Sequence, residues 1–306
     1  MQTTLKTSFS LVGMGLHSGR PVRLSVLPAD ADQGIVFVRR DVKSGDNRVP
    51  ATFRAVTDTK LCTRISNADG VNVATIEHLM AAFAGCGVHN AIVELDASEV
   101  PIMDGSSRRF VKEILAAGVT KLAAPVKILR ILKTVSLSDA DAFAEISPSD
   151  DYEIDFAINF PDRAIGTQQR ALNMKNGSFV RELADSRTFC RKADVDFMQS
   201  NGLALGGSLD NAIVVEGDKV LNADGFRHDD ECVRHKMLDA LGDMALVGMP
   251  ILGRYRGVRA GHRVTNLLLR KLFATPGAFE IIEADARLAA KLPGVGVTFQ
   301  DLDLAI

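Results

Sequence analysis

Hydrophobic and polar residues alternate along the first 60 residues in the manner of β-strands. The runs PVRLSVLPA and GIVFVRRD are rich in β-branched residues and are bounded by Pro, Gly and Asp. The period changes within VNVATIEHLMAAFAGCGV, where apolar residues recur at helical spacing from Ile76 to Phe83. This pattern predicts a helix with Thr75 as its N-cap and Gly85 at its end.

The first block continues with a strand and a helix. NAIVELD reads as a buried strand and SSRRFVKEILAAGV as an amphipathic helix that ends at Gly118. Residues 121–129, KLAAPVKIL, then lead into a new series of strands, a hairpin in AIVVEGDKVLN and a long helix that starts near Asp230. We therefore expect an α+β fold with two domains, residues 1–122 and 126–306, each a β-sheet with helices on one face.

Composition excludes several classes of protein. The chain has 306 residues, 46% of them hydrophobic and 24% charged, and a net charge of −2, which favours neither a nucleic-acid partner nor an anionic membrane. No uncharged apolar run reaches ~18 residues, so we expect a protein that does not span the membrane. The N-terminus is a poor signal peptide, which indicates the cytoplasm. The four cysteines form no C-x-x-C pair and are expected to be reduced thiols.

Three potential ligand residues lie four apart in CVRHKMLDALGD. His235 and Asp239 are one helical turn apart, ~6 Å along the axis, and can converge on one metal ion. Asp243 lies ~12 Å from His235, so it is more suited to orienting another side chain. The alternative is that Glu231, Asp239 and Asp243, with Lys236 nearby, form a solvated acidic edge.

A further ligand is available in TIEHLMAAF, where Glu77 and His78 are adjacent near a helix start. Side chains of adjacent residues diverge by ~100°, so His78 is assigned to the metal and Glu77 to the water on it. Two histidines and one carboxylate that leave a position open are typical of catalytic zinc, which lowers the pKa of its water to ~7. A buried, hydrogen-bonded core histidine is the alternative for His78.

His262 follows a glycine in RAGHRVTN, in a predicted loop that can face a cleft. Near the metal, it would suit a proton donor to a leaving amine or a stabiliser of the oxyanion. Asp243 is then its natural orienting partner. A surface histidine is the alternative.

Together, TIEHLMAAFAG, SRTF, VRHKMLDALGD and GHRVTN resemble the UDP-3-O-acyl-N-acetylglucosamine deacetylases, zinc amidases of lipid A synthesis. The resemblance runs from VGMGLHSG to GHRVTNLLLRKL, with LCTR, VPIMDGSS and LALGGSLDNAIVV in order. It implies two similar domains packed as a sandwich, with the active site between them. It also implies zinc-dependent hydrolysis of the N-acetyl group of UDP-3-O-(hydroxyacyl)-N-acetylglucosamine, the committed step of the pathway, and hence a UDP-linked acylated glucosamine as the partner.

The resemblance also implies a role for each matching residue. The metal ligands are His78, His235 and Asp239; the general base is Glu77, the general acid or oxyanion stabiliser is His262, and Asp243 orients it. Thr188 helps to polarise the amide oxygen, while Phe189 and Lys236 contact the substrate. An inserted element within residues 191–215 forms a passage for the acyl chain.

Some positions depart from the family or leave alternatives open. Ala142 stands where some members have a lysine that contacts the diphosphate, so Lys236, Arg259 or Arg263 would have to substitute. His17 matches a family position, with either a functional or a structural role. Fe²⁺ is the alternative to Zn²⁺, because two histidines and a carboxylate also suit non-haem iron.

Two other functions compete with the leading one. The first is a related metal amidohydrolase that acts on a different N-acylated sugar. The second is a binding or scaffold protein whose metal only holds two domains together, which would leave Glu77 and His262 without a role. We expect a monomer.

Overall fold

A computed structural model of the chain describes residues 1–303. The fold is mixed α+β, with several β-sheets and helices packed against them. Every helix within residues 1–303 is too short or too polar to cross a membrane.

The first 121 residues contribute ten strands and two helices. They are β1 (Thr3–Leu5), β2 (Phe9–Met14), β3 (Pro21–Pro28), β4 (Ile35–Arg39), β5 (Arg48–Pro50), β6 (Val56–Asp58), β7 (Arg64–Ser66), β8 (Asn72–Val73), α1 (Glu77–Cys86), β9 (Ala91–Leu95), α2 (Arg108–Ala117) and β10 (Val119–Lys121).

Residues 122–303 contribute ten strands, six α-helices and a 3-10 turn (Ala245–Val247). They are β11 (Lys127–Ile131), β12 (Val135–Asp139), β13 (Ala142–Ser147), β14 (Tyr152–Asn159), β15 (Thr167–Asn173), α3 (Ser178–Glu182), β16 (Phe189–Arg191), α4 (Lys192–Ser200), β17 (Ile213–Glu216), β18 (Lys219–Val220), α5 (Glu231–Met244), β19 (Ile251–Val258), α6 (His262–Ala274), β20 (Phe279–Glu283), α7 (Ala286–Ala289) and α8 (Phe299–Asp303).

The first large sheet has the strand order β2-β3-β9-β4-β5. In β3, Val22, Leu24 and Val26 are buried and their neighbours are more exposed, so this period of two turns one face of the strand towards the core. β4 and β9 are parallel, which requires a crossover connection between them. That connection contains α1, and with it Glu77 and His78.

The second large sheet is built around β19. This strand is antiparallel to β13 and parallel to β14, and its first residues also pair with β11. β12, β15 and β20 complete the sheet. The chain leaves β19 through a three-residue turn and starts α6 at His262, so the end of the central strand positions this histidine.

α1 and α5 pack against each other, and both contribute to one continuous hydrophobic core. Gly242 permits this close approach, and Gly85 permits the approach of α3 to α1. A Cβ on Gly242 of α5 would lie 2.1 Å from the carbonyl oxygen of Glu77, and one on Gly85 of α1 would lie 2.0 Å from the Phe179 ring. The residues of both helices that carry chemistry are therefore brought to a shared interface.

α1 begins and ends later than the sequence pattern predicts. Thr75 is not the N-cap, because Ile76 occupies that position and the Thr75 hydroxyl donates instead to buried Glu99 at 3.0 Å. A buried carboxylate requires donors, and the φ of +57° at Thr75 departs from the extended conformation that N-cap residues adopt. Gly85 is not the end of the helix either. The end is formed by Gly87, whose φ of +67° suits the left-handed conformation of a helix terminus.

Other local predictions are confirmed. Gly118 ends α2, Asp230 is the N-cap residue of α5, and β17 and β18 form the predicted hairpin through Gly217. All four cysteines are free.

Candidate active site

Two histidines and one aspartate meet at the interface of α1 and α5. His78 comes from α1, while His235 and Asp239 lie one turn apart on α5, and all three are buried. One potential ligand atom from each lies within 4.8 Å of the others. The Oδ1 atom of Asp239 is 3.6 Å from Nε2 of His78 and 3.4 Å from Nε2 of His235. His235 and Asp239 thus converge as the helical spacing predicts, and His78 joins them from α1.

The surroundings of these residues suit a metal ion. Within the described residues, Oδ1 of Asp239 is buried without a hydrogen-bond partner, which is costly unless a ligand supplies one. Nδ1 of His235 lies 3.0 Å from the carbonyl oxygen of Ser186 and donates to it, leaving Nε2 with its lone pair free. Lys236 donates to the other oxygen of Asp239 at 2.6 Å.

The protonation states also suit metal binding. Burial lowers the pKa of His235 to about 4, so its imidazole is neutral at pH 7. Burial disfavours the charged form of Asp239, but the Lys236 ammonium and other neighbouring side chains together outweigh it and hold the pKa of this carboxyl well below its usual range. A neutral imidazole and an ionised carboxylate are the forms that bind metal ions.

A carboxylate and an imidazole adjoin this cluster. Glu77 is buried, with its Oε1 3.7 Å from Nε2 of His262. Burial raises the pKa of Glu77 above its usual value, although His262 opposes the rise. A raised pKa suits a carboxylate that must accept a proton near neutral pH.

His262 is bonded to Asp243 through its other nitrogen. Nδ1 lies 2.8 Å from Oδ2 of Asp243, the contact expected from the spacing on α5. Burial alone would lower the pKa of His262, but the carboxylates of Asp243 and Glu77 outweigh it and raise the pKa to about 9. The imidazole is therefore protonated at neutral pH, with Nε2 turned towards Glu77.

Thr188 and Phe189 line the site, and a buried ion pair holds the segment that contains them, residues 185–189. The Arg187 side chain, 4% exposed, donates to fully buried Glu231 at 2.9 Å, and the Arg187 backbone N–H donates to the same oxygen. Since Glu231 begins α5, the pair ties this segment to the helix that carries His235. Its structural consequence is to hold the Ser186 carbonyl against the His235 ring.

The remaining predicted residues line a cavity of about 470 Å³ that contains the cluster, among them Thr188, Phe189 and Lys236. The Phe189 ring meets that of His235 edge-on, with centroids 6.3 Å apart. Lys236 both faces this cavity and bonds Asp239, a second contact that its position in the sequence did not suggest.

A second cavity of about 410 Å³ adjoins the first and is mostly apolar. Its lining includes Leu61, Val195, Met198 and Leu209, so much of it comes from the segment predicted to form the acyl passage. His17 borders both cavities, and its backbone N–H donates to Glu99 at 2.8 Å. The cavity offers an apolar chain a place beside the polar site.

The arginines considered for diphosphate contacts are already paired with acidic side chains. Arg259 lies 3.3 Å from Asp141, and Arg263 lies 2.8 Å from Asp139. Both are partly exposed, so a bound phosphate would have to compete with these carboxylates.

Sequence reasoning missed two residues that hold the site together. Thr63 contacts both Glu77 and Asp243, and the Ser186 carbonyl orients His235. Neither residue lies at a sequence spacing that is typical of metal ligands. The sequence signals are the family motifs that contain them, LCTR and SRTF, and neither motif marks Thr63 or Ser186 for a structural role.

A potential three-ligand metal site beside a buried carboxylate and a protonated imidazole defines a metal-dependent hydrolase. A family model described as UDP-3-O-acyl N-acetylglycosamine deacetylase (LpxC) matches residues 2–274. Curated relatives with the name UDP-3-O-acyl-N-acetylglucosamine deacetylase cover nearly the whole chain. The protein from Phenylobacterium zucineum is 47% identical over 280 residues, which cover 92% of this chain and 96% of the relative.

Two further relatives carry the same name. The Pasteurella multocida protein is 43% identical over 290 residues, 94% of this chain and 95% of its own length. The Shewanella violacea protein is 41% identical over 302 residues, 97% and 98% of the two chains. The chain belongs to the UDP-3-O-acyl-N-acetylglucosamine deacetylase family. It is thus a metal-dependent amidohydrolase, a deacetylase of the committed step of lipid A biosynthesis.

Proposed function

We propose that the chain hydrolyses the acetamide of UDP-3-O-(hydroxyacyl)-N-acetylglucosamine, giving acetate and a free amine, with Glu77 as general base and His262 as general acid or oxyanion stabiliser. One observation carries this assignment. The two side chains face each other, with Oε1 of Glu77 3.7 Å from Nε2 of His262, beside three buried potential metal ligands. A site that only joined two domains would need neither side chain.

We assign the metal to His78, His235 and Asp239, with Zn²⁺ as the ion and Fe²⁺ as the alternative. A bound divalent ion would supply Lewis-acid activation of water and of the amide carbonyl. The protein's own contribution is to fix the tautomer of His235 and the orientation of Asp239 before the metal binds. The Ser186 carbonyl fixes the His235 tautomer, and Lys236 occupies one oxygen of Asp239 so that the other faces both imidazoles.

The proton transfers fall to Glu77 and His262. The Glu77 carboxylate takes a proton from the attacking water, and its raised pKa matches this task. His262, protonated at neutral pH, stabilises negative charge on the amide oxygen or delivers a proton to the amine as it leaves. Asp243 holds the ring so that Nε2 faces the reacting atoms.

Substrate binding is assigned to the lining of the two adjoining cavities. The Thr188 hydroxyl would polarise the amide oxygen, Phe189 would stack near the sugar, and Lys236 would contact the polar part of the substrate. The apolar cavity bordered by residues 191–215 would take the 3-O-acyl chain. Burial of methylene groups there would supply about 0.8 kcal/mol each, binding energy that a substrate without the chain would lack.

The proposal extends to domain arrangement. Residues 1–122 and the segment from residue 126 onward would form two similar α+β domains, packed as a sandwich with the site between them. The pairing of β1 with β10, which closes the first segment on itself, and the packing of α1 against α5 support this division. A monomer would suffice, because all the assigned residues come from one chain. A nucleotide-linked sugar as substrate fits a cytoplasmic enzyme.

The substrate assignment is tested by acetate release from two UDP-N-acetylglucosamine compounds, one with and one without the 3-O-acyl chain. We expect kcat/KM to be lower by several orders of magnitude without the chain, because most of the apolar contact is lost. Equal turnover of both compounds would contradict the assignment and favour an amidohydrolase of another N-acylated sugar.

A further inference from the structure

Thr63 is a buried residue that makes two hydrogen bonds into the site. Its hydroxyl donates to Oδ1 of Asp243 at 2.6 Å, and its backbone N–H donates to Oε2 of Glu77 at 3.1 Å. Only 2% of the residue is exposed, so water does not compete for these bonds. One residue therefore contacts both carboxylates that flank His262.

The two bonds complement those of His262. The imidazole contacts Oε1 of Glu77 and Oδ2 of Asp243, while Thr63 binds the second oxygen of each carboxylate. Rotation of a carboxylate about its last side-chain bond has only broad preferences, so a single contact orients it poorly. Contacts to both oxygens remove that freedom.

We propose that Thr63 is a positioning residue. It fixes the carboxylate of Glu77, the general base, relative to that of Asp243, which orients His262. This inference rests on the roles given to Glu77, Asp243 and His262 under the proposed function. Thr63 and Glu77 come from the first half of the chain, whereas Asp243 and His262 come from the second. The Thr63 hydroxyl thus joins the two halves of the acid and base machinery across 180 residues of sequence.

The local backbone places Thr63 for both contacts. The residue immediately precedes β7 and follows a turn in which Leu61 has a φ of +70°. Leu61 lines both cavities, while Thr63, two residues later, is buried beneath them. Because the N–H and the hydroxyl belong to one residue, any movement of Thr63 would shift both carboxylates together.

The test compares variants that differ in the hydroxyl. Thr63→Val keeps the shape and the backbone N–H but removes the donor, and Thr63→Ala removes the donor without placing a methyl group against Asp243. We expect kcat to fall about 10- to 100-fold in both, the loss that follows when a buried charged acceptor loses its partner. KM should stay within about threefold and the metal content should not change, because no substrate or metal contact is removed.

Two comparisons separate positioning from mere stability. Thr63→Ser restores a donor and should keep kcat within about threefold of the wild type. Thr57→Val makes the same chemical change at an exposed hydroxyl that bonds Ser66 on the neighbouring strand, and it should leave kcat unchanged. If Thr63→Ser lost as much activity as Thr63→Val, the hydroxyl would not be the active feature and the inference would be wrong.

A double-mutant cycle with Asp243→Ala identifies the partner. If Thr63 acts mainly through Asp243, adding Thr63→Val to Asp243→Ala should cost less than about threefold more in kcat, since the acceptor is already gone. Fully additive losses would contradict the inference. Should Thr63→Val fail to fold, Thr63→Ala takes its place in the cycle.

The same experiment distinguishes a failure of the role assigned to Thr63 from a failure of the role proposed for Asp243. If Asp243→Ala alone kept full kcat, the role proposed for Asp243 would fail, and that of Thr63 with it. If Asp243→Ala were impaired while Thr63→Val and Thr63→Ala kept full kcat, only the assignment of Thr63 would be wrong.

Discussion

Replacement of Asp243 by asparagine should change the pH dependence of the reaction through His262. The substitution keeps the size of the side chain and removes its charge. In the wild type, Asp243 and Glu77 outweigh burial and raise the pKa of His262 to about 9. Without the Asp243 charge, burial would bring this pKa to its ordinary value of about 6.5 or below.

The magnitude follows from these two values. At pH 7.5 an imidazole with a pKa of about 9 is roughly 97% protonated, whereas one with a pKa of about 6.5 is roughly 10% protonated. If the protonated form is the active one, kcat at this pH should fall at least about 10-fold. Since kcat declines as pH rises through this pKa, the descending limb of the pH profile of kcat should move to lower pH by about two units or more. The loss of kcat in the variant should shrink as the pH is lowered.

The assay is acetate release by both proteins across the range from about pH 5.5 to 9.5, with metal content measured at each pH. Asp218→Asn, an exposed change in the turn between β17 and β18, is the matched control and should retain the wild-type profile. A descending limb that stayed in place in Asp243→Asn, with metal retained, would refute the view that Asp243 sets the charge of His262.

Three other outcomes are expected. Gly242→Ala would place its Cβ 2.1 Å from the Glu77 carbonyl oxygen and force α5 away from α1. This should lower the free energy of unfolding by about 1–3 kcal/mol and Tm by several degrees in a calorimetric scan. An unchanged Tm would contradict the close packing of the two helices. Lys236→Met removes the donor to Asp239 and should weaken metal binding about 10- to 100-fold in a competition titration. Unchanged metal affinity would show that this hydrogen bond does not orient the Asp239 carboxylate for the metal. Chelation should abolish activity reversibly without loss of the circular dichroism spectrum, whereas unfolding would favour a structural metal.

The contacts that the sequence predicted well are those set by helical geometry. His235 and Asp239 lie one turn apart on a helix, so their convergence followed from spacing alone, and the approach of their ligand atoms to His78 was expected. The pairing of Asp243 with His262 followed from the same reasoning, because a second turn carries Asp243 beyond the cluster. Their chemical roles remain predictions.

What the sequence did not reveal depends on contacts between distant segments. Thr63 and Asp243 are 180 residues apart, and no local pattern marks them as partners. Thr75 has the residue type of an N-cap, yet its backbone has a φ of +57° and its hydroxyl donates to buried Glu99, so it does not take that position. Gly85 resembles a helix end but serves to admit the Phe179 ring. In each case tertiary packing decides between alternatives that are locally equivalent.

The central claim is that a metal held by His78, His235 and Asp239 serves catalysis with Glu77 as the base. Its most direct test is the measurement of metal content and acetate release in Glu77→Ala, beside the wild type. We predict a folded protein with about one zinc per chain and a kcat lower by at least about 100-fold, the usual contribution of a general base. Wild-type turnover in this variant, or unfolding with loss of the metal, would contradict the claim.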